Sequence, residues 1–285
     1  MDKKIAVIGS GIAGLTAGWL CRNSGAYVTI FEAKSQRGMD LHSLHFNQED
    51  EKSGFVDIPL RVMSPHAWPL TLKICEILGV KTFEVDTPIA CSWIDEETWF
   101  KSSKFRIGSK LIPWAPVRYL FNKETYQILL GFVKILKSHQ DNLHPELTVK
   151  EFIKQKNVNT LFSKGLLYPL LTTICTCDEK SLDKWPAIQI LDLMKKIVFG
   201  DRLRRITGGT KALAEKLGKE LNWESGVRVE DLSEESEGIF LSSKNKKFGP
   251  FNSVICAVQA NQLKFLPNHY GLELKTLKSF PYTSG

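Results

Sequence analysis

Residues 7–18 read VIGSGIAGLTAG, with glycines at 9, 11, 14 and 18 directly after the apolar run Ile5-Ala6-Val7-Ile8. Glycine weakens strands and helix interiors, so such a cluster needs a local reason. The run before it is continuous rather than alternating, the pattern of a strand covered on both faces. A helix is expected from about 12 to 24, with Gly25 as its C-terminal stop. Tyr27-Val28-Thr29-Ile30-Phe31 then reads as a second strand, ending at Glu32.

Strand, glycines, helix, strand and terminal acid together make a βαβ unit, the context that gives the glycine spacing its meaning. Gly9 permits a tight turn, Gly11 lets backbone approach a pyrophosphate, and Gly14 lets the helix close on the strand. The helix N-terminus offers unpaired N–H groups to phosphates. Glu32 is placed to accept from ribose hydroxyls, a role compatible with either NAD or FAD.

The chain as a whole has the composition of an ordinary globular protein: 285 residues, 43% hydrophobic and 24% charged. Six scattered cysteines, mostly in apolar segments, are expected to be buried and reduced, which fits a cytoplasmic setting. Only Cys175 and Cys177 lie close together, and no second pair completes a metal site, so none is expected. The N-terminus has two lysines and an apolar stretch, but the glycine spacing explains it better than a signal peptide does. ILLGFVKIL at 128–136 is too short to span a bilayer, so no transmembrane helix is expected.

From about 60 to 195 the pattern changes. Ser64-Pro65 is expected to open a helix running to Gly79, short strand-like pieces fill 82–108, and helical patterns cover about 116–138. Thr148-Val149-Lys150-Glu151 reads as a capping box, with helices continuing to about 197. After Gly208-Gly209 come a helix at about 210–221, strands near 227–232 and 238–243, a turn at Lys244–Pro250, and a buried strand at 253–257. The expected organisation is a discontinuous nucleotide-binding domain, 1–60 with 198–285, interrupted by a mostly helical α+β substrate domain at 61–197.

The segment Glu32-Ala33-Lys34-Ser35-Gln36-Arg37-Gly38 extends the fingerprint. Gly9, Gly11, Gly14, Gly18, Gly25, Glu32 and Arg37 resemble the pattern of glutathione-reductase-like FAD proteins, in the flavin amine oxidase and phytoene desaturase group. Gly38-Met39 stands where that pattern has Gly-Gly. Phe55–Pro59 resembles the family's strand beneath the flavin, with Pro59 in place of Gly. "TVKEFIKQKNVNTLF", "YPLLTTIC" and "RITGGTKALAEKLGKEL" resemble its substrate-domain helices and the return to the FAD domain. In the closing meander Val229 matches the valine whose backbone meets adenine.

The resemblance implies FAD as cofactor, bound by Gly9, Ser10, Gly11, Ile12, Ala13, Gly14, Glu32, Ala33, Arg37, Gly38, Arg61 and Val229. Arg61 is expected to face the substrate or a carboxylate. It also implies an oxidoreductase that passes a hydride from an organic substrate, lipophilic or an amine, to flavin N5. The flavin carries that chemistry, so no catalytic side chain is named; His42, His45 and His66 lie nearest the expected flavin. Members of the family continue to a second FAD segment, so this chain alone is expected to bind FAD weakly, with a complementing C-terminal chain as a partner. The alternatives are an inactive FAD- or nucleotide-binding module and an NAD(P)-dependent reductase.

One charge feature stands apart. Residues 101–140 hold eight Lys or Arg against Glu124 alone, the whole of the chain's net +7, interleaved with Phe105, Trp114, Tyr119, Phe121, Tyr126 and Phe132. No nucleic-acid motif accompanies the charge, and nucleic acid is not expected as a partner. Peripheral contact with an anionic membrane is the alternative to an ordinary solvated surface.

Overall fold

The computed structural model describes residues 3–38, 43–46, 54–58, 61–86, 88–107, 110–114, 116–138, 143–199, 202–244 and 246–280. It divides into two compact units, Met1–Val85 with Leu203–Tyr282, and Asp86–Arg202.

The first unit is built on β1 (Lys4–Ile8), α1 (Ile12–Asn23) and β2 (Tyr27–Glu32). β1 is the inner partner of β2 on one side and of Ser253–Cys256 on the other, both parallel, with Val7 opposite Ile30 and Ile255. The expectation that 5–8 and 254–257 share a parallel sheet therefore holds. Successive residues point to opposite faces, and both faces are dry. Val7, Val28 and Ile30 pack with Leu15, Leu213 and Leu217 on the helical side. Ala6, Ile8 and Phe31 pack with Leu241, Phe251 and Phe265 on the other. Gly25, at φ +87°, ends α1 as its sequence position requires.

A fourth parallel strand, Asn222–Ser225, pairs with the outer edge of β2. Its Asn-Trp-Glu-Ser carries no β-branched run, and the sequence reading gave no strand there. It forms through its pairing with β2, where Asn222 Nδ2 donates to the Val28 carbonyl, and through a local bond from the Trp223 indole to the Gly218 carbonyl. The helix expected at 210–221 stops at Gly218 to make room. The strand expected near 227–232 falls at Asp231–Glu235.

Two further corrections have local causes. The turn expected at Lys244–Pro250 is mostly strand: Lys246–Phe251 completes an antiparallel meander with Gly238–Ser243 and Asp231–Glu235. Its Gly249-Pro250 pair sits where the register with Gly238–Ser243 slips, an irregularity that tolerates such residues. The helix expected from Ser64 begins at Pro69 and ends at Ile77. Ser64 Oγ instead accepts from the Ala67 amide, which closes a turn, and Trp68 is held outside helical geometry by the proline after it.

The sequence places the domain junctions at 60/61 and 197/198, whereas the compact units divide at 85/86 and 202/203. Residues 61–85 stay with the first unit because Met63 and Cys75 enter its core and Thr82–Val85 pairs antiparallel with Leu203–Ile206.

The second unit combines two hairpins, Ala90–Ser92 with Thr98–Lys101 and Ser103–Ile107 with Lys110–Trp114, and a set of helices. Ile128, Phe162, Leu166, Leu171, Leu191 and Met194 form its centre. The Thr148 capping box is present: Thr148 Oγ1 accepts from the Glu151 amide, and Glu151 Oε2 accepts from the Thr148 amide. All six cysteines are free, and burial pushes the Cys91 thiol up to about 11. Among the described residues, no helix is long and apolar enough to cross a membrane.

Candidate nucleotide-binding site

Where β1 ends, the Gly9 amide donates to the Phe31 carbonyl and the Ile8 carbonyl accepts from the Ala257 amide. Gly9 turns at φ +100°, and a Cβ on it would lie 2.6 Å from the Ala257 carbonyl oxygen. Gly14 is tighter still, since its Cβ would stand 1.9 Å from the Gly9 carbonyl oxygen. Gly11 is different. It caps α1 in extended geometry with no side-chain cap, and a Cβ there would meet nothing within 4 Å.

The first helical bond of α1 runs from the Leu15 amide to the Gly11 carbonyl. The amides of Ile12, Ala13 and Gly14 therefore have no partner among the described residues, and the first turn carries no acid. Exposed backbone at Gly11 and Ala13, three free N–H groups and the positive end of the helix dipole favour an anion. Backbone with open space beside it admits a diphosphate without rearrangement.

Glu32 lies next to this turn at the end of β2. Its Oε2 accepts from the Ser10 amide at 3.1 Å and the Ser10 hydroxyl at 2.5 Å, and its Oε1 accepts from the Lys34 amide at 2.9 Å. Ser10 is fully buried, and its Oγ in turn accepts from the Gly38 amide. Ser10 thus fixes the Glu32 carboxylate and the 33–38 loop instead of offering a free donor. A carboxylate has about four acceptor positions, so one on Oε1 stays open for a ligand hydroxyl. Glu32→Ala would strand both Ser10 donors in a buried place, and is expected to lower stability by about 1–3 kcal/mol. Denaturant unfolding of the ligand-free protein checks this, with Glu32→Gln, which keeps an acceptor oxygen, losing less.

The other expected residues are placed as follows. Ile12 packs against the helical-side core, and Ala33 is exposed. Gly38, at φ +66°, presses on Ala214 and Leu15, where a Cβ would sit 3.0 and 3.4 Å away. Arg37 lies over the Trp223 ring and donates from Nε to Ser225 Oγ. Val229 is buried under the meander, yet neither its amide nor its carbonyl has a hydrogen-bond partner among the described residues. Arg61 is exposed and joins none of these bonds. His66 is exposed, while Met39, His42, Pro59 and the His45 side chain lie outside the described residues.

One element of the site was not legible. Asp57, almost wholly buried, accepts on Oδ1 from the Thr210 amide, the Thr210 hydroxyl and the Ser43 hydroxyl, while its Oδ2 has no partner among the described residues. It caps the helix Gly209–Gly218 from a strand 153 residues away. The available signal was negative: Gly208 stands at the N-cap and Gly209 opens the helix, where a Ser, Thr or Asp cap is usual, so the cap had to come from elsewhere.

A glycine turn from a buried parallel strand into a helix with free N-terminal amides, beside a carboxylate on the neighbouring strand, is the local geometry of a Rossmann-type βαβ unit. Residues 7–70 match the NAD(P)-binding Rossmann-like domain family. An L-amino-acid oxidase of Mus musculus is 26% identical over 243 residues, covering 75% of this chain and 34% of that protein. The chain thus spans about a third of the length of that curated relative. Among solved structures, a CLA-producing fatty acid isomerase from P. acnes aligns with a TM-score of 0.60 at 18% identity, over 93% of this chain and 61% of that one. Putrescine oxidase, solved bound to putrescine, aligns with a TM-score of 0.59 at 15% identity, over 94% and 60%. The solved structures, at these identities, share the fold with this chain.

Proposed function

We propose that the chain binds FAD and serves an FAD-dependent oxidoreductase of the amine-oxidase or desaturase type. The observation that carries this reading is the set of free amides at Ile12, Ala13 and Gly14, with open space at Gly11 and Glu32 alongside. These amides would hold the pyrophosphate, Glu32 Oε1 a ribose hydroxyl, and the unpaired backbone of Val229 the adenine edge. FAD held there would supply a two-electron acceptor, with flavin N5 as the atom to which a substrate hydride would pass. The substrate class is an amine or a lipophilic small molecule, which the names of the oxidase and isomerase relatives support.

The proposed contacts all fall on the ADP half of the cofactor. Titration of the 285-residue chain should therefore give FAD binding that ADP competes away, and little affinity for FMN. Tight NAD or NADP binding with no uptake of FAD would replace the reading with that of a nicotinamide-dependent reductase. Glu32→Ala should weaken FAD binding by the roughly 1.5–3 kcal/mol of a hydrogen bond to a charged group.

A further inference from the structure

The helix Lys123–Leu136 is apolar on two opposite sides. Thr125, Ile128, Gly131 and Ile135 face the core of the second unit, where Phe132 also packs edge-to-face on Phe162. At 3.6 residues per turn, Tyr126, Leu129, Leu130 and Val133 lie on the far side. They are 62, 43, 41 and 44% exposed. The short helix before it, Val117–Leu120, and its C-cap residue add two more exposed apolar side chains, Val117 at 70% and Phe121 at 90%. An ordinary amphipathic helix places polar residues there, and four large apolar side chains on one exposed face, with two more exposed just before it, need an occupant.

The charges beside the strip identify it. Lys123, Lys134 and Lys137 run along one edge of the apolar face, and Arg118 flanks it in the preceding turn, all exposed. Lys134 Nζ donates to the Asn157 carbonyl, a neutral partner that leaves its charge uncompensated. Glu124, the only acid of the segment, lies toward the core side. A second copy of this chain, with its own +7, would set like charge against like. An anionic lipid surface complements both features at once: acyl chains and interface for the apolar strip, headgroups for the ammonium and guanidinium groups.

We infer that residues 117–137 form a peripheral membrane-contact face, selective for anionic lipid. The inference does not depend on the cofactor. Of the six aromatics in the basic segment, Phe121 and Tyr126 serve this face, Phe132 serves the core and Tyr119 is half-buried beneath Arg118, whereas the side chains of Phe105 and Trp114 lie outside the described residues.

Co-sedimentation of the full chain with vesicles tests it. Phosphatidylcholine vesicles containing phosphatidylglycerol should bind the protein at low salt and release it at high salt, and pure phosphatidylcholine should bind it far less. Replacing Lys123, Lys134 and Lys137 with Gln should lower the partition coefficient on the order of a hundredfold, about fivefold per charge. Leu129→Gln with Leu130→Gln should lower it several-fold, with thermal unfolding unchanged in both variants because every replaced side chain is exposed. Absence of binding to anionic vesicles at low salt overturns the inference, as does binding that neither variant weakens. Concentration-dependent dimerisation without vesicles, lost in the double-leucine variant, would assign the face to self-association and overturn it as well.

Discussion

Gly11→Val is expected to strip the protein of bound FAD while leaving its fold in place. The two halves of that expectation rest on different observations. A Cβ at Gly11 meets no atom of the described residues within 4 Å, and the residue's extended φ of −64° suits any L side chain. The fold loses only the modest preference for glycine over a branched residue at a helix N-cap, about 1 kcal/mol. The same open space is where a pyrophosphate must come against the amides of Ile12 and Ala13. An isopropyl group there cannot be relieved by the rigid backbone on one side or by the diphosphate on the other. A penalty of about 3 kcal/mol, the upper part of the usual range for overpacking, lowers affinity on the order of a hundredfold. FAD affinity by titration and the unfolding midpoint are the two readouts. A variant that binds FAD like the parent would show that the phosphates lie elsewhere.

The elements legible in the sequence are those whose signal is local. β1, α1 and β2 follow from apolar runs and glycine stops, and the Thr148–Glu151 capping box from a four-residue pattern. The pairing of β1 with Ser253–Cys256 was readable because both are continuous apolar runs, which only a doubly covered sheet accommodates. The strand Asn222–Ser225 was not readable, because β2 and the missing side chain of Gly218 make it a strand. Lys246–Phe251 carries turn residues that a register slip absorbs. The site divides the same way. Its glycines and Glu32 follow from spacing, whereas the Ser10–Glu32 clamp and the Asp57 cap join residues 22 and 153 positions apart. Spacing along the chain names the residues that approach a ligand. The partners that hold those residues in place belong to the folded state.

Gly14→Ala should act in the opposite sense to Gly11→Val, destabilising the fold before any ligand is present. Its Cβ would stand 1.9 Å from the Gly9 carbonyl oxygen and 3.0 Å from the Gly9 carbonyl carbon, and both are backbone. Neither atom can rotate away. Relief requires α1 to lift from β1, and the Gly9 turn is pinned there by its bond to the Phe31 carbonyl. Alanine returns about 1 kcal/mol through helix propensity, which the clash should exceed by about 2–3 kcal/mol. Gly18 provides an internal comparison. A Cβ there approaches Ile30 Cδ1 at 2.9 Å and Leu221 Cδ1 at 3.0 Å, the far ends of flexible side chains. Gly18→Ala should therefore cost less than Gly14→Ala, and Gly11→Ala less than either. Denaturant midpoints of the three alanine variants, measured without cofactor, test this order. A Gly14→Ala protein as stable as Gly11→Ala would mean that helix and strand do not close at this glycine, and the geometry of the phosphate turn would have to be redrawn.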